Sequence, residues 1–164
     1  MINAIVINES APYKVIQSTN SSVQFATEQG TLYEVGFVQD LSLGIDGVFQ
    51  FFITNVNNSV AVRDEKIRDT VWAVLENFFT ENEYAMLYIC DVSDGRQTAR
   101  NRLFRMWFSE YANHSLYKLL TAEASYMGEQ YFASLIIKRT NPYYAQYSAK
   151  FDEFERNLKN KLNE

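Results

Sequence analysis

The segment CDVSDGR, which begins at Cys90, contains residue types that could bind an anion beside a nucleophile. Five residues separate Cys90 from Arg96, and the segment lies between a predicted strand and a predicted helix. In such a loop, amides at a helix start surround a phosphate, an arginine binds its oxygens and a low-pKa thiolate attacks it. The spacing therefore makes anion chemistry the first hypothesis to test.

Other features of this segment weigh against the chemistry of cysteine-dependent phosphatases, which use a loop of that kind. Asp91 and Asp94 would repel a phosphate and raise the pKa of the thiol. Gln97 stands where a hydroxyl residue would directly follow the arginine. We therefore expect Cys90 to be a buried, unreactive thiol at a strand end. We expect Asp94 to be the helix N-cap, in capping-box spacing with Gln97.

The helix that follows is predicted to bury two arginines. On a helical wheel, Arg96 and Arg100 share a face with four apolar residues. Those residues are Ala99, Leu103, Met106 and Trp107. A guanidinium that points toward the core near a helix N-terminus needs a negatively charged partner.

Two interpretations of these arginines stay open. In the first, carboxylates close a structural ion-pair network, with Asp91 or Asp94 as first choice and Asp69 or Glu76 as alternatives from elsewhere in the fold. In the second, the arginines and the helix amides form an anion or carboxylate pocket. The candidate binding residues are Asp91, Asp94, Arg96, Gln97 and Arg100.

Residue types for other kinds of catalysis are sparse. His114 is the only histidine, and it follows the second predicted helix, where a C-terminal cap is the ordinary role. No cluster of Cys and His could bind a metal, and no glycine-rich nucleotide loop is present. We predict no cofactor and lean away from an enzyme.

Composition and charge disfavour several classes of function and location. The chain has 164 residues, a formal net charge of −5 and one cysteine, so no intrachain disulfide can form. An acidic chain is a poor candidate for binding a phosphate backbone. No secretory n-region and no apolar run long enough to span a bilayer are present, which favours the cytoplasm. Aromatic residues make up 15% of the chain and predict a ring-rich core.

The hydrophobic pattern predicts a single α+β domain over residues 1–164, with an antiparallel or mixed sheet and helices mainly on one face. The order of elements is predicted as β-β-β-α-β-α-β-β-α. The continuous apolar run 85–90 suits a buried central strand. Residues 116–123 fit a strand or a helix. Helices are predicted over Asp64–Thr80, Gly95–Ala112 and Pro142–Leu162.

Three segments carry a resemblance to a known family. They are CDVSDGRQTARNRLFRMWF, YFASLIIKRTNPY and FATEQGTLYEVGFV. The chain resembles an uncharacterised family of small proteins, a domain of unknown function, from Bacteroidota, over most of its length from about Tyr13 to beyond Pro142. The resemblance implies a bacterial, intracellular, stand-alone domain, and it implies no catalytic or binding residues.

Three functions therefore compete. We expect first a non-catalytic binding or protein-interaction domain, with a homodimer through exposed aromatic side chains or the last helix. The alternative is a small-anion-binding protein or an enzyme centred on Cys90–Arg100. Nucleic-acid binding comes third because of the net charge, and no membrane partner is expected.

Overall fold

The computed structural model describes residues 1–90 and 92–163, and for Tyr111, Leu162 and Asn163 it describes the backbone alone. The three predicted helices and the predicted strand at residues 85–90 are present, each with ends close to those expected. The structure adds a short first helix, and it has four strands rather than three before the helix at residues 65–81. The elements are α1 (Ala4–Ile7), β1 (Ile16–Thr19), β2 (Ser22–Ala26), β3 (Leu32–Gln39), β4 (Val48–Asn55), α2 (Glu65–Glu81), β5 (Ala85–Ile89), α3 (Gln97–Tyr111), β6 (Tyr117–Tyr126), β7 (Glu129–Lys138) and α4 (Tyr144–Asn163).

The strands form one mixed sheet, which confirms the predicted α+β class. Its order is β1-β2-β3-β4-β5-β7-β6, and four helices pack against it. Strands β4 and β5 run parallel, whereas β1–β2, β2–β3, β5–β7 and β6–β7 are antiparallel pairs. The ambiguous segment 116–123 belongs to β6, because it pairs along its whole length with β7.

The chain divides into two compact units. The first comprises residues 1–38 and 51–82, and the second comprises residues 39–50 and 83–164. The single domain over 1–164 stays a prediction. Among the described residues, no helix combines the length and the apolar character needed to cross a bilayer.

In the first unit, aromatic rings join α2 to the strands. Phe78 of α2 stacks on Phe37 of β3, with ring centroids 4.0 Å apart. Asp64 is the N-cap of α2, because its side chain accepts a hydrogen bond from the Lys66 amide. Asp64 also accepts a hydrogen bond from the Tyr13 hydroxyl, which fixes the segment before β1 against the start of α2.

In the second unit, the two faces of β5 and β7 are covered by different helices. Leu87 and Leu135 lie in a buried cluster with Tyr147 and Phe151 of α4. Tyr88, the next residue of β5, points to the other face and stacks on a ring of α3. Helices α3 and α4 therefore lie on opposite faces of these strands, and α4 packs on them through Tyr147 and Phe151.

Candidate functional site

Strand β5 and helix α3 fix the two ends of the segment that contains Cys90. Strand β5 lies between β4 and β7, and its first three residues are fully buried. The Cys90 amide donates to the Phe132 carbonyl at 3.2 Å, so the pairing with β7 continues past the end of β5. Asp91, one of the candidate binding residues, lies outside the described residues. The segment then turns through Gly95, whose φ of +71° favours glycine, into α3.

The thiol of Cys90 is buried, as predicted. Only 4% of the residue is exposed, and burial raises the pKa of the thiol. A hydrogen bond from Tyr88 and the charge of Arg100 act in the opposite direction but do not outweigh burial. Burial, followed by interactions with Cys90, also raises the pKa of Tyr88. At neutral pH both groups are therefore protonated, and a protonated thiol is a poor nucleophile.

Cys90 should therefore react slowly with thiol reagents in the native protein. We expect labelling at neutral pH to be at least about 100-fold slower than in denaturant, because the reagent needs an exposed thiolate. A colorimetric disulfide reagent with and without guanidinium chloride measures the ratio. Native labelling as fast as that of a free thiol would contradict the assignment and would revive the hypothesis of a nucleophilic cysteine.

Asp94 organises the turn before α3. One carboxylate oxygen accepts the Arg96 amide at 3.0 Å and Arg100 Nη1 at 2.9 Å, and the other accepts Arg100 Nη2. These bonds, led by the one from Arg100, lower the pKa of Asp94. Asp94, one of the two carboxylates expected first as partners of the arginines, binds Arg100, so this guanidinium is bound to a carboxylate of the chain itself. The predicted capping box is wrong, because α3 begins at Gln97 with Arg96 as an N-cap that makes no side-chain cap bond.

The Asp94–Arg100 pair should contribute only modestly to stability. Its side chains are 43% and 36% exposed, so water screens the attraction. Arg100→Ala should lower the melting temperature by no more than about 2–4 °C at neutral pH. Because the pKa of Asp94 is lowered in the folded state, the pair's contribution is present above pH ~4 and is lost as pH falls through that lowered value.

Thermal melts of the native chain and Arg100→Ala at pH 7 and pH 2.5 test this prediction. The difference between the two proteins should shrink at the acidic pH. Arg102→Ala is the matched control, because Arg102 makes no ion pair with any described residue. A large loss of stability for Arg100→Ala, without one for Arg102→Ala, would show that the fold depends on the Asp94–Arg100 pair, as the structural ion-pair network requires.

The predicted burial of the face of α3 that contains Leu103 and Met106 is wrong, because a different face meets the sheet. The buried side chains are Gln97, Asn101, Phe104 and Phe108, which recur at helical spacing. Arg96 is exposed rather than directed to the core, and it makes no ion pair with a described residue. The orientation of α3 has a physical cause: Phe104 stacks on Tyr88 of β5, with centroids 4.2 Å apart, and this contact fixes which side of α3 meets the sheet.

Polar groups are buried under the start of α3. Gln97 is buried, and its Oε1 has no partner among the described residues. The same holds for Ser134 of β7 and its Oγ. Tyr88 lies directly opposite Ser134 in the antiparallel pair, so both side chains point to the face that α3 covers. The i, i+4 pair Phe104 and Phe108 marks this face in the sequence, but Leu103, Met106 and Trp107 mark a second apolar face.

The outer face of α3 is instead an exposed apolar stripe. Leu103 and Met106 are 44% and 51% exposed, and exposed Ala99 lies on the same line of the helix. Trp107, beside Leu103, is half-buried. Arg102 borders the stripe on one side and Arg100 on the other. The wheel thus grouped the apolar side chains correctly, but the fold leaves most of them in contact with water.

Other parts of the described chain offer less to a ligand or partner. His114 lies near the C-terminal end of α3, with its Nε2 3.4 Å from the Ser109 carbonyl, as a C-terminal cap would. Among the described residues, no group of three or more His, Cys, Asp or Glu could hold a metal ion. Of the aromatic side chains described, only Tyr126 and Tyr143 are largely exposed. The expected dimer surface of exposed aromatics is therefore small.

A groove lies between loop 42–44 and α4. It has a volume of about 350 Å³, within the range of small-molecule sites. Leu43 and Phe154 contribute apolar surface, and Lys150 lies at its edge, paired with Glu153 at 3.5 Å. Cations and an anion are mixed around it, so its charge selects no ligand class.

The comparisons place the chain in a family. Residues 63–155 match a family of unknown function, DUF6169, and the chain belongs to it. The match covers more than half of the sequence, from α2 through most of α4, and includes both the Cys90–Arg100 segment and the whole of α3. Comparison with curated proteins and with solved structures gives no match.

Proposed function

We propose that this chain is a non-catalytic protein-interaction domain that binds its partner through the outer face of α3. The observation that carries the proposal is the line of apolar side chains Ala99, Leu103 and Met106, exposed on a helix whose opposite face is fixed to the sheet. Single exposed aliphatic residues are ordinary. Aligned side chains with a half-buried tryptophan beside them are typical of a docking face.

An anion site or enzyme centred on Cys90–Arg100 has less support. The Cys90 thiol is buried with a raised pKa, and Asp94 occupies the Arg100 guanidinium. Nucleic-acid binding would use the arginines of α3, but Leu103 and Met106 lie between them where a phosphate backbone would need polar or cationic groups. Location in the cytoplasm of a member of Bacteroidota is part of the same proposal and rests on the resemblance of the three segments.

Photo-crosslinking in cells tests the proposal. A photoreactive phenylalanine analogue replaces Met106 in one variant and Thr98 in another. Thr98 is also exposed, but it lies on a different side of α3. We expect protein adducts from position 106 and few or none from position 98. Adducts of equal yield from both positions, or from neither, would overturn the proposal.

A further inference from the structure

The outer face of α3 is self-complementary in charge. Arg96 precedes Leu103 by seven residues, and Glu110 follows Leu103 by seven. Seven residues are close to two helical turns, so the three residues lie nearly on one line along the helix. All three are exposed. The line therefore has a cation at one end, an anion at the other and an apolar side chain in the middle.

We infer that the partner of this face is a second copy of the chain, with the two α3 helices packed antiparallel about a two-fold axis at Leu103. The inference rests on the proposed function and names its partner. A two-fold axis there places each residue before Leu103 opposite the residue equally far after it. Arg96 of each copy then meets Glu110 of the other, and two intermolecular ion pairs form at once.

The remaining side chains fit the same arrangement. Ala99 lies opposite Trp107 of the second copy, so a small side chain faces a large one. Met106 lies opposite Arg100, whose aliphatic stem can pack against it while Asp94 keeps the guanidinium bound. Antiparallel helices also place opposite ends of their dipoles side by side. Arg102 stays at the rim, in water.

Other macromolecules fit the face less well. A membrane surface would need a longer apolar face than the two aliphatic side chains Leu103 and Met106. A nucleic acid would repel Glu110 and gain nothing from the apolar line. The helix pair alone is smaller than a standard interface of about 1,600 Å². The dimer is therefore weak, with a dissociation constant on the order of 10–100 µM.

A charge-swap cycle tests the inference. Sedimentation velocity of the full chain at low salt, from about 1 µM to about 1 mM, gives the dimer dissociation constant. R96E and E110R should each weaken the dimer about tenfold, because each reverses one charge of both pairs. The double variant R96E/E110R should restore it to within about threefold, since the pairs re-form with opposite sign. R102E is the matched control and should not weaken the dimer.

Disulfide trapping tests the position of the axis independently of charge. Leu103→Cys places two thiols on the axis, and mild oxidation should yield a covalent dimer, whereas Thr98→Cys should not. Cys90 can stay in both variants because it is buried.

A monomer at about 1 mM, a dimer insensitive to R96E, a double variant that does not recover, or no trapping at position 103 would each overturn the inference. If other proteins still crosslink at position 106, the proposed function survives that result. If the only adduct at position 106 is a nucleic acid or a lipid, both fail.

Discussion

Phe104→Ala should lower the free energy of unfolding by about 3–5 kcal/mol, whereas Leu103→Ala, one residue away, should cost less than about 1 kcal/mol. Phe104 is 7% exposed and stacks on Tyr88, so its truncation leaves a cavity between α3 and the sheet. Leu103 is 44% exposed and leaves no cavity. Urea unfolding at low micromolar concentration, below the dissociation constant proposed for the dimer, measures both values.

The pair of variants decides which face of α3 is buried. The sequence placed Leu103 toward the core, and that orientation predicts a larger loss for Leu103→Ala than for Phe104→Ala. A Leu103→Ala loss equal to or larger than the Phe104→Ala loss would therefore contradict the orientation of α3. It would also contradict the proposed docking face, which depends on that orientation. Circular dichroism of each variant shows whether the native helices persist at the start of the titration.

The elements that sequence predicted well are those with a strong local pattern. The run at residues 85–90 is too short and too apolar for anything but a buried strand. Helix α2 has an N-cap at Asp64 and apolar residues at helical spacing. Helix α1 was missed because it has only four residues, and it depends on the Asn3 side chain, which accepts a hydrogen bond from the Ile5 amide. Strand β6 was ambiguous because only its pairing with β7 decides its conformation.

The candidate site shows the same division between local and non-local causes. The Asp94–Arg100 pair was predictable from local sequence, because Asp94 lies in the turn before α3 and Arg100 lies in the first turn of that helix. The buried face of α3 was not, because two faces of that helix carry large apolar residues. Tyr88 of β5 decides between the two faces by stacking on Phe104. The spacing of residues along α3 does not reveal that contact, because Tyr88 lies on another element. The sequence therefore grouped Ala99, Leu103 and Met106 correctly on one face, but the prediction that this face is buried was wrong.

Gly36→Ala should lower the free energy of unfolding by about 2–4 kcal/mol through a steric clash inside the sheet. Gly36 lies opposite Ser22 in the β2–β3 pair. A Cβ at position 36 would lie 2.6 Å from the Ser21 carbonyl oxygen and 2.6 Å from Ser22 Cβ. The Ser21 carbonyl cannot move freely, because it accepts the Phe37 amide at 2.9 Å. Either the pairing or that hydrogen bond must give way.

Gly30→Ala is the control that separates contact from backbone strain. Gly30 has a φ of +83°, but a Cβ there would meet no atom within 4 Å. Its substitution should therefore cost only the strain of a left-handed alanine, about 1 kcal/mol. Gly36 is the opposite case, since its penalty comes from packed neighbours and not from its own φ. Denaturant unfolding of both variants checks the order, and a Gly36→Ala loss no larger than that of Gly30→Ala would show that β2 and β3 do not approach as closely as this structure places them.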